Sequence, residues 1–332
     1  MSDRIALDAM GGDDAPGAVL AGALRAVDRE RGGKLAPESI LLVGDQAVIE
    51  AELKARGGNP GFGIRHASQV IGMDEKPAVA LRQKPDSSIG SCVGAVRDGE
   101  AGAVVAMGNT GACVGSATLG LGTLDGVRRP GIAVSLGLFG SPLTILDMGA
   151  NVSPKPEHLL QYGWMGSAYA RACLNTPEPR IGLMNIGEEA SKGTDVLRTA
   201  HELLEQSDLR FVGNIEPSDM LGGAADIIVA DGFTGNIALK LMEAMAGFLF
   251  GRFRSELEKH AAGFTDQVLG SLSKQIDYAE YGGALLLGVR GVVVIGHGRS
   301  DEVAVSNALG VAQRTLSSGL NKQIVTVLSG AS

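Results

Sequence analysis

The chain has 332 residues, 45% of them hydrophobic and 20% charged, enough apolar side chain for a real core. A formal net charge of −8 and a pI near 5.2 argue against broad nucleic-acid binding, which needs clustered cations. No apolar run reaches the ~20 residues of a membrane-spanning helix, and Met1–Ile5 leads into a strand-like segment without a signal peptide, so a cytoplasmic protein is expected.

In chain order the expected strands are Ile5–Leu7, Ile40–Val43, Val104–Met107, Ile132–Leu136, Leu143–Leu146, Ile181–Met184, Arg210–Val212, Ile227–Ala230 and Val292–Ile295. Helical patterns lie between them at Ala15–Glu30, Ala112–Thr118, Pro156–Ala172, Ala190–Glu205, Ile237–Phe250 and Asp301–Ser318. This alternation predicts an α/β fold, Rossmann-like, with a mostly parallel sheet and helices on both faces. With no repeat, low-complexity tract or linker, the expectation is a single α/β catalytic domain over 1–332. Three cysteines, Cys92, Cys113 and Cys173, lack C-x-x-C spacing and fit a reducing compartment.

The 49 glycines are about twice the usual share of ~7% and have no collagen period. Many follow the strands: Asp8-Ala9-Met10-Gly11-Gly12, Gly108-Asn109-Thr110-Gly111, Asp147-Met148-Gly149-Ala150-Asn151, Asn185-Ile186-Gly187, Asp231-Gly232-Phe233-Thr234-Gly235-Asn236 and Gly296-His297-Gly298. One such turn is ordinary chain reversal. The whole set at the carboxyl ends of strands, where open α/β sheets bind ligands, reads as an active site for a phosphate-bearing substrate.

Several signatures are missing. There is no G-x-G-x-x-G, no G-x-x-x-x-G-K-[ST] and no G-x-S-x-G, so dinucleotide, triphosphate and serine-hydrolase chemistry are unsupported. His201-Glu202 opens like a zincin motif, but position 205 is Glu, and the pair reads as an exposed helix face. No metal and no cofactor is expected.

Anion chemistry remains. Asn109, Thr110 and Gly111 precede a helix of small residues, where free N–H groups make a cradle for phosphate or a carbonyl oxygen; the same residues also read as a turn with an N-cap. Asp231, Thr234, Gly235 and Asn236 open a second helix. Lys192, after the Asn185 turn, is a compact charge suited to phosphate, or else a solvated lysine. His297 lies at the last strand end. Lys76, Arg82 and Lys84 form a small basic patch that also reads as solvated charge.

Seven motifs in order carry a resemblance: DAMGGD (Asp8–Asp13), GNTGA (Gly108–Ala112), LDMGAN (Leu146–Asn151), NIGEEASKG (Asn185–Gly193), DGFTGNIALK (Asp231–Lys240), YGGA (Tyr281–Ala284) and HGRSD (His297–Asp301). Over nearly its whole length the chain resembles the bacterial phosphate acyltransferases of phospholipid synthesis. The resemblance implies a fold like that of phosphotransacetylases and isopropylmalate-dehydrogenase-like enzymes, and a homodimer. It implies transfer of an acyl group from acyl carrier protein to inorganic phosphate, the acyl phosphate feeding a membrane glycerol-3-phosphate acyltransferase. A phosphotransacetylase using short acyl-CoA and a non-catalytic acyl- or anion-binding protein are the alternatives.

On that reading Lys192, Asn236 and His297 are the catalytic candidates. Asp8, Gly11, Gly12, Asn109, Thr110, Gly111, Asn151, Asn185, Asp231, Thr234 and Gly235 bind phosphate or acyl group, and Arg82 and Lys84 meet the acidic carrier protein. The chain departs from the family at Pro217-Ser218, where the family has Gly or Ala followed by Arg, and at Leu285, where Pro or Ser is common.

A helical hairpin is expected at about 237–278. Its first arm carries Leu241, Met245, Phe248, Leu249, Phe253 and Leu257, a stripe that reads as core or dimer contact. Around its tip Phe264, Val268 and Leu269 read either as packing within the hairpin or as a weak, reversible membrane contact.

Overall fold

The computed structural model describes residues 2–138, 141–260 and 282–330. In chain order its first elements are β1 (Ile5–Asp8), α1 (Gly17–Val27), β2 (Ile40–Gly44), α2 (Gln46–Ala55), β3 (Gly63–His66), α3 (Pro77–Gln83), α4 (Ser88–Arg97), β4 (Ala103–Ala106) and α5 (Thr110–Leu121). There follow β5 (Gly131–Leu138), β6 (Ser141–Leu146), α6 (Pro156–Cys173), β7 (Ile181–Met184), α7 (Asp195–Glu205), β8 (Phe211–Ile215), α8 (Pro217–Leu221), β9 (Ile227–Val229) and α9 (Gly232–His260). The last are β10 (Ala284–Leu287), β11 (Val292–Ile295), α10 (Glu302–Ser318) and α11 (Leu320–Gly330). They form two compact units, Met1–Pro130 with Tyr281–Gly330, and Gly131–Glu280.

In the first unit the strands run β3-β2-β1-β4-β11-β10, all parallel except β10, which is antiparallel to β11. Every residue of β1, β2, β4 and β11 is buried, the mark of strands covered on both faces. Two helical groups supply that cover. Helix α4 packs on β1, β2 and β4 and is joined by α5 and α3; α10 packs on β1, β4 and β11 and carries α1.

In the second unit the order is β5-β6-β9-β7-β8, with β5 antiparallel to β6 and the rest parallel. Helix α6 lies on β6 and β9 and against α7, which packs on β8. A clasp joins the starts of β7 and β9: the Arg180 guanidinium meets the Asp226 carboxylate at 2.8 Å, and Arg180 N–H donates to the same carboxylate at 2.8 Å.

The mostly parallel α/β architecture expected from the strand–helix alternation is thus present in each unit. Two strands escaped the sequence reading. β3 is a half-exposed edge strand, Gly63-Ile64-Arg65-His66, without an apolar run. β10 follows directly on Gly282 and Gly283, and its Leu285, a departure from the family pattern, is simply buried. His201 is a correction: it does not lie on an exposed helix face but is buried on the inner side of α7, beside Phe211.

Candidate active site

Because β1, β4 and β11 are parallel neighbours, the loops that follow them share one edge of the first unit. Gly11 passes so close to Gly108 that a Cβ on it would lie 3.0 Å from the Gly108 nitrogen. Asp13 N–H donates to Gly298 O at 2.8 Å, tying the β1 loop to the β11 loop. Asp8 sits beneath this junction. Burial pushes its carboxyl up, opposed by hydrogen bonds from Ser88 and from the N–H groups of Met10 and Gly11.

Asn109 caps α5, accepting from Ala112 N–H at 3.1 Å, while its amide donates to the carbonyls of Gly72 (3.2 Å), Met73 (3.3 Å) and Glu75 (2.9 Å). Its side chain therefore frames the site, and the exposed residues at the helix start are Thr110 and Gly111. His297 accepts at Nδ1 from Arg299 N–H (3.2 Å), so the neutral ring carries its proton on Nε2. Lys84 is tied inward to Glu75 and to the Val70 carbonyl, whereas Arg82 is exposed.

The second unit gathers its residues in two neighbouring clusters, also at the carboxyl edge. In the first, Asp231 caps α9. Its carboxylate accepts from Thr234 N–H (2.9 Å) and from the Thr234 hydroxyl (2.7 Å), and its carbonyl accepts from Gly235 N–H (2.9 Å). Two of the N–H groups expected to cradle phosphate are thus already paired. Asn236 is half-buried beside Gly149, where an added Cβ would meet the asparagine Cβ at 3.7 Å. Asn151 donates its amide to the Tyr162 hydroxyl (2.7 Å) and accepts at its carbonyl from Gly232 N–H (2.9 Å).

The second cluster holds Lys192. Asn185, buried at the end of β7, donates its amide to the Lys192 carbonyl at 3.2 Å. Asn214, buried at the end of β8, donates to the Glu189 carbonyl at 2.9 Å and pairs with His201 behind it. Gly193 turns with φ +84° directly over the Asn185 side chain, leaving no space for a Cβ. The backbone of this loop is thereby fixed while the Lys192 side chain is 48% exposed, its Nζ 3.8 Å from Glu189 Oε1.

Two buried polar residues of the second unit, Asp147 and Asn214, are not among the candidates the sequence offers. Asp147 was read only as part of a motif, yet its carboxylate is wholly buried and accepts four backbone N–H groups. Burial pushes its carboxyl up and the four donors oppose the shift. The signal in the sequence was an aspartate closing an apolar strand, the pattern shared by Leu7-Asp8 and Leu146-Asp147.

Among the described residues no group of three or more His, Cys, Asp or Glu could hold a metal ion, and no helix is long and apolar enough to cross a membrane. Phe264, Val268 and Leu269, with the tip and second arm of the expected hairpin, lie outside the described residues.

A family model described as fatty acid synthesis protein matches residues 3–323. A phosphate acyltransferase from Pelotomaculum thermopropionicum is 43% identical over 326 residues, spanning 97% of this chain and 94% of its own. One from Nostoc punctiforme is 44% identical over 329 residues, 97% and 95% of the two chains. A phosphotransacetylase from Streptococcus pyogenes shares the fold with a TM-score of 0.60 at 17% identity, covering 94% of this chain and 93% of its own. A branched-chain phosphotransacylase from Enterococcus faecalis does so with a TM-score of 0.55 at 14% identity, covering 94% and 99%.

Proposed function

The chain belongs to the phosphate acyltransferase family, and from that premise we propose that it moves an acyl group from acyl carrier protein to inorganic phosphate. A phosphate oxygen attacks the thioester carbonyl, the C–S bond breaks, and acyl phosphate leaves together with the carrier thiol. Phosphate is itself the nucleophile, so no serine or cysteine elbow is required.

The carrying observation is the carboxyl edge of the second unit. There buried side chains hold backbone in place while Lys192 is exposed and Asn236 is half-buried beside Gly149. Negative charge grows on the carbonyl oxygen in the transition state, and a fixed cation and amide stabilise it without having to reorganise. We assign Lys192 to phosphate or oxyanion charge and Asn236 to the reacting carbonyl or phosphate. In the first unit, Thr110 and Gly111 offer helix-start N–H groups at that unit's own carboxyl edge.

Arg82 is an exposed cation of the basic patch, suited to steering an acidic carrier protein. On α9 a row of apolar side chains faces out, Leu241 at 61% and Phe248 at 62% exposure, which supports a second copy of the chain as its cover and hence a homodimer. Weak contact of the hairpin tip with a membrane surface belongs to the same reading, since the product must reach a membrane acyltransferase.

The test is consumption of acyl carrier protein thioester with and without phosphate, the product trapped with hydroxylamine. Loss of the thioester only in the presence of phosphate is expected. Equal rates on short acyl-CoA would move the chain to the phosphotransacetylases, and binding without turnover would make it a carrier of acyl groups or anions.

A further inference from the structure

We infer that Asp147 is a positioning residue for the acyl transfer: its buried carboxylate locks the Gly149–Asn151 loop and, through that loop, the start of α9 that carries Asn236. The inference rests on the assignment of Asn236 to the reacting centre.

A carboxylate with no solvent exposure needs compensation, and here backbone N–H groups supply it. Oδ1 accepts from Ile132 (2.9 Å), Gly149 (3.1 Å) and Ala150 (3.0 Å), and Oδ2 from Asn151 (2.7 Å). Three of the four donors are consecutive, so the loop wraps its N–H groups around a single anion that the chain itself provides. Neither a serine nor an alanine at 147 could hold all three.

The loop then hands its position to α9. The Asn151 carbonyl accepts from Gly232 N–H at 2.9 Å, so the first residue of the helix hangs from the loop. A Cβ on Gly232 would lie 2.7 Å from Asp147 Oδ2, and one on Gly235 would run into the Asp147 carbonyl oxygen. The helix start and the aspartate are in direct contact, with no side chain between them. Asn236 comes next, against Gly149. A small displacement of a group meeting developing charge lowers turnover far more than it lowers stability.

The experiment is a double-mutant cycle on turnover with Asp147→Asn, Asn236→Ala and the pair, each also followed by thermal unfolding. Asparagine keeps the size but replaces one acceptor oxygen with an amide that cannot take the N–H of Asn151. The expected result is a fall in kcat of ~10- to 100-fold for Asp147→Asn, with KM for phosphate changed less than ~3-fold. In the Asn236→Ala background the same change should lower kcat by less than ~3-fold, because residues acting as one unit are not additive.

Multiplicative losses, or normal turnover in Asp147→Asn, would overturn the positioning role. Normal turnover in Asn236→Ala would overturn it at its premise, and that single variant tells the two failures apart. If Asp147→Asn does not fold, Tyr162→Phe takes its place in the cycle, since it removes the hydroxyl that the Asn151 amide meets on the same loop and leaves the carboxylate intact.

Discussion

His201 donates from Nδ1 to Asn214 Oδ1 at 3.0 Å, and the direction of that bond is set by the other end of the asparagine. Asn214 Nδ2 donates to the Glu189 carbonyl at 2.9 Å, so Oδ1 faces the ring and the proton sits on Nδ1. A buried imidazole on α7 is thereby linked to the backbone of the loop that presents Lys192. Replacing Asn214 with Ala leaves the Glu189 carbonyl and the His201 N–H without these partners, at a cost of about 1–3 kcal/mol. Differential scanning calorimetry should show a melting temperature lower by a few degrees. Turnover should fall ~10-fold, because Lys192 is less firmly placed. A lower melting point with normal turnover would make the relay purely structural.

Lys192→Met should behave in the opposite way. The side chain is half-exposed, and its ion pair with Glu189 at 3.8 Å is of the surface kind that contributes ~0–1 kcal/mol. Unfolding should therefore barely move, while turnover falls ~10²-fold, the scale for loss of one group that meets oxyanion charge. Steady-state rates at saturating acyl donor decide it. Activity near wild type would place the phosphate charge on another group.

Stability should show an acid limb that Asp226→Asn removes. Burial pushes the Asp226 carboxyl up, but hydrogen bonds and charge from Arg180 outweigh it and hold the group below its ordinary value of 3.8. The folded state therefore binds the proton less readily than the unfolded chain. The stabilisation is complete at neutral pH, declines as the pH drops past about 4, and is gone below the folded pKa. Denaturant titrations of the two proteins should differ by about 1.5–3 kcal/mol at pH 7, the range for a hydrogen bond to a charged partner. The curves should draw together as the pH falls below about 4. A constant gap across that window would mean that Arg180 stabilises the strand starts without sensing the carboxylate's charge.

The outward face of α9 provides a fourth test. Leu241→Glu together with Phe248→Glu should convert a dimer to a monomer in light scattering, since two charges would enter an apolar contact. Both side chains are more than half exposed in the single chain, so the monomer should keep its far-ultraviolet circular dichroism. A mass unchanged by the double substitution would leave the stripe to some other partner.

Much of the fold was legible in advance because short apolar runs separated by amphipathic stretches admit few arrangements. Nine strands were readable from β-branched runs bounded by Gly and Asp. β3 was not, since an edge strand buries little and Gly63-Ile64-Arg65-His66 carries no run to find. The glycines at the strand ends were legible for the same local reason: a chain leaving a buried strand beside another backbone has room only for hydrogen at positions such as Gly11 and Gly235.

What the linear order could not convey was the use made of each polar side chain. Asn109, Thr234 and Lys84 have the chemistry of ligands, yet each is held by partners in its own unit: Asn109 by Ala112 and the 72–75 carbonyls, Thr234 by Asp231, Lys84 by Glu75 and Val70. Asp147 and His201 have no distinguishing spacing, yet both are buried and hydrogen-bonded in the second unit. The amino-acid sequence by itself determined the family, the α/β class and the edge at which the glycine-rich loops gather, because propensity, apolar periodicity and glycine placement act within a few residues. Which asparagine spends its amide on backbone carbonyls was decided only by tertiary structure. Hydrogen-bond capacity is finite, and whether a polar group has any left depends on neighbours as distant along the chain as Asn109 and Gly72, 37 residues apart.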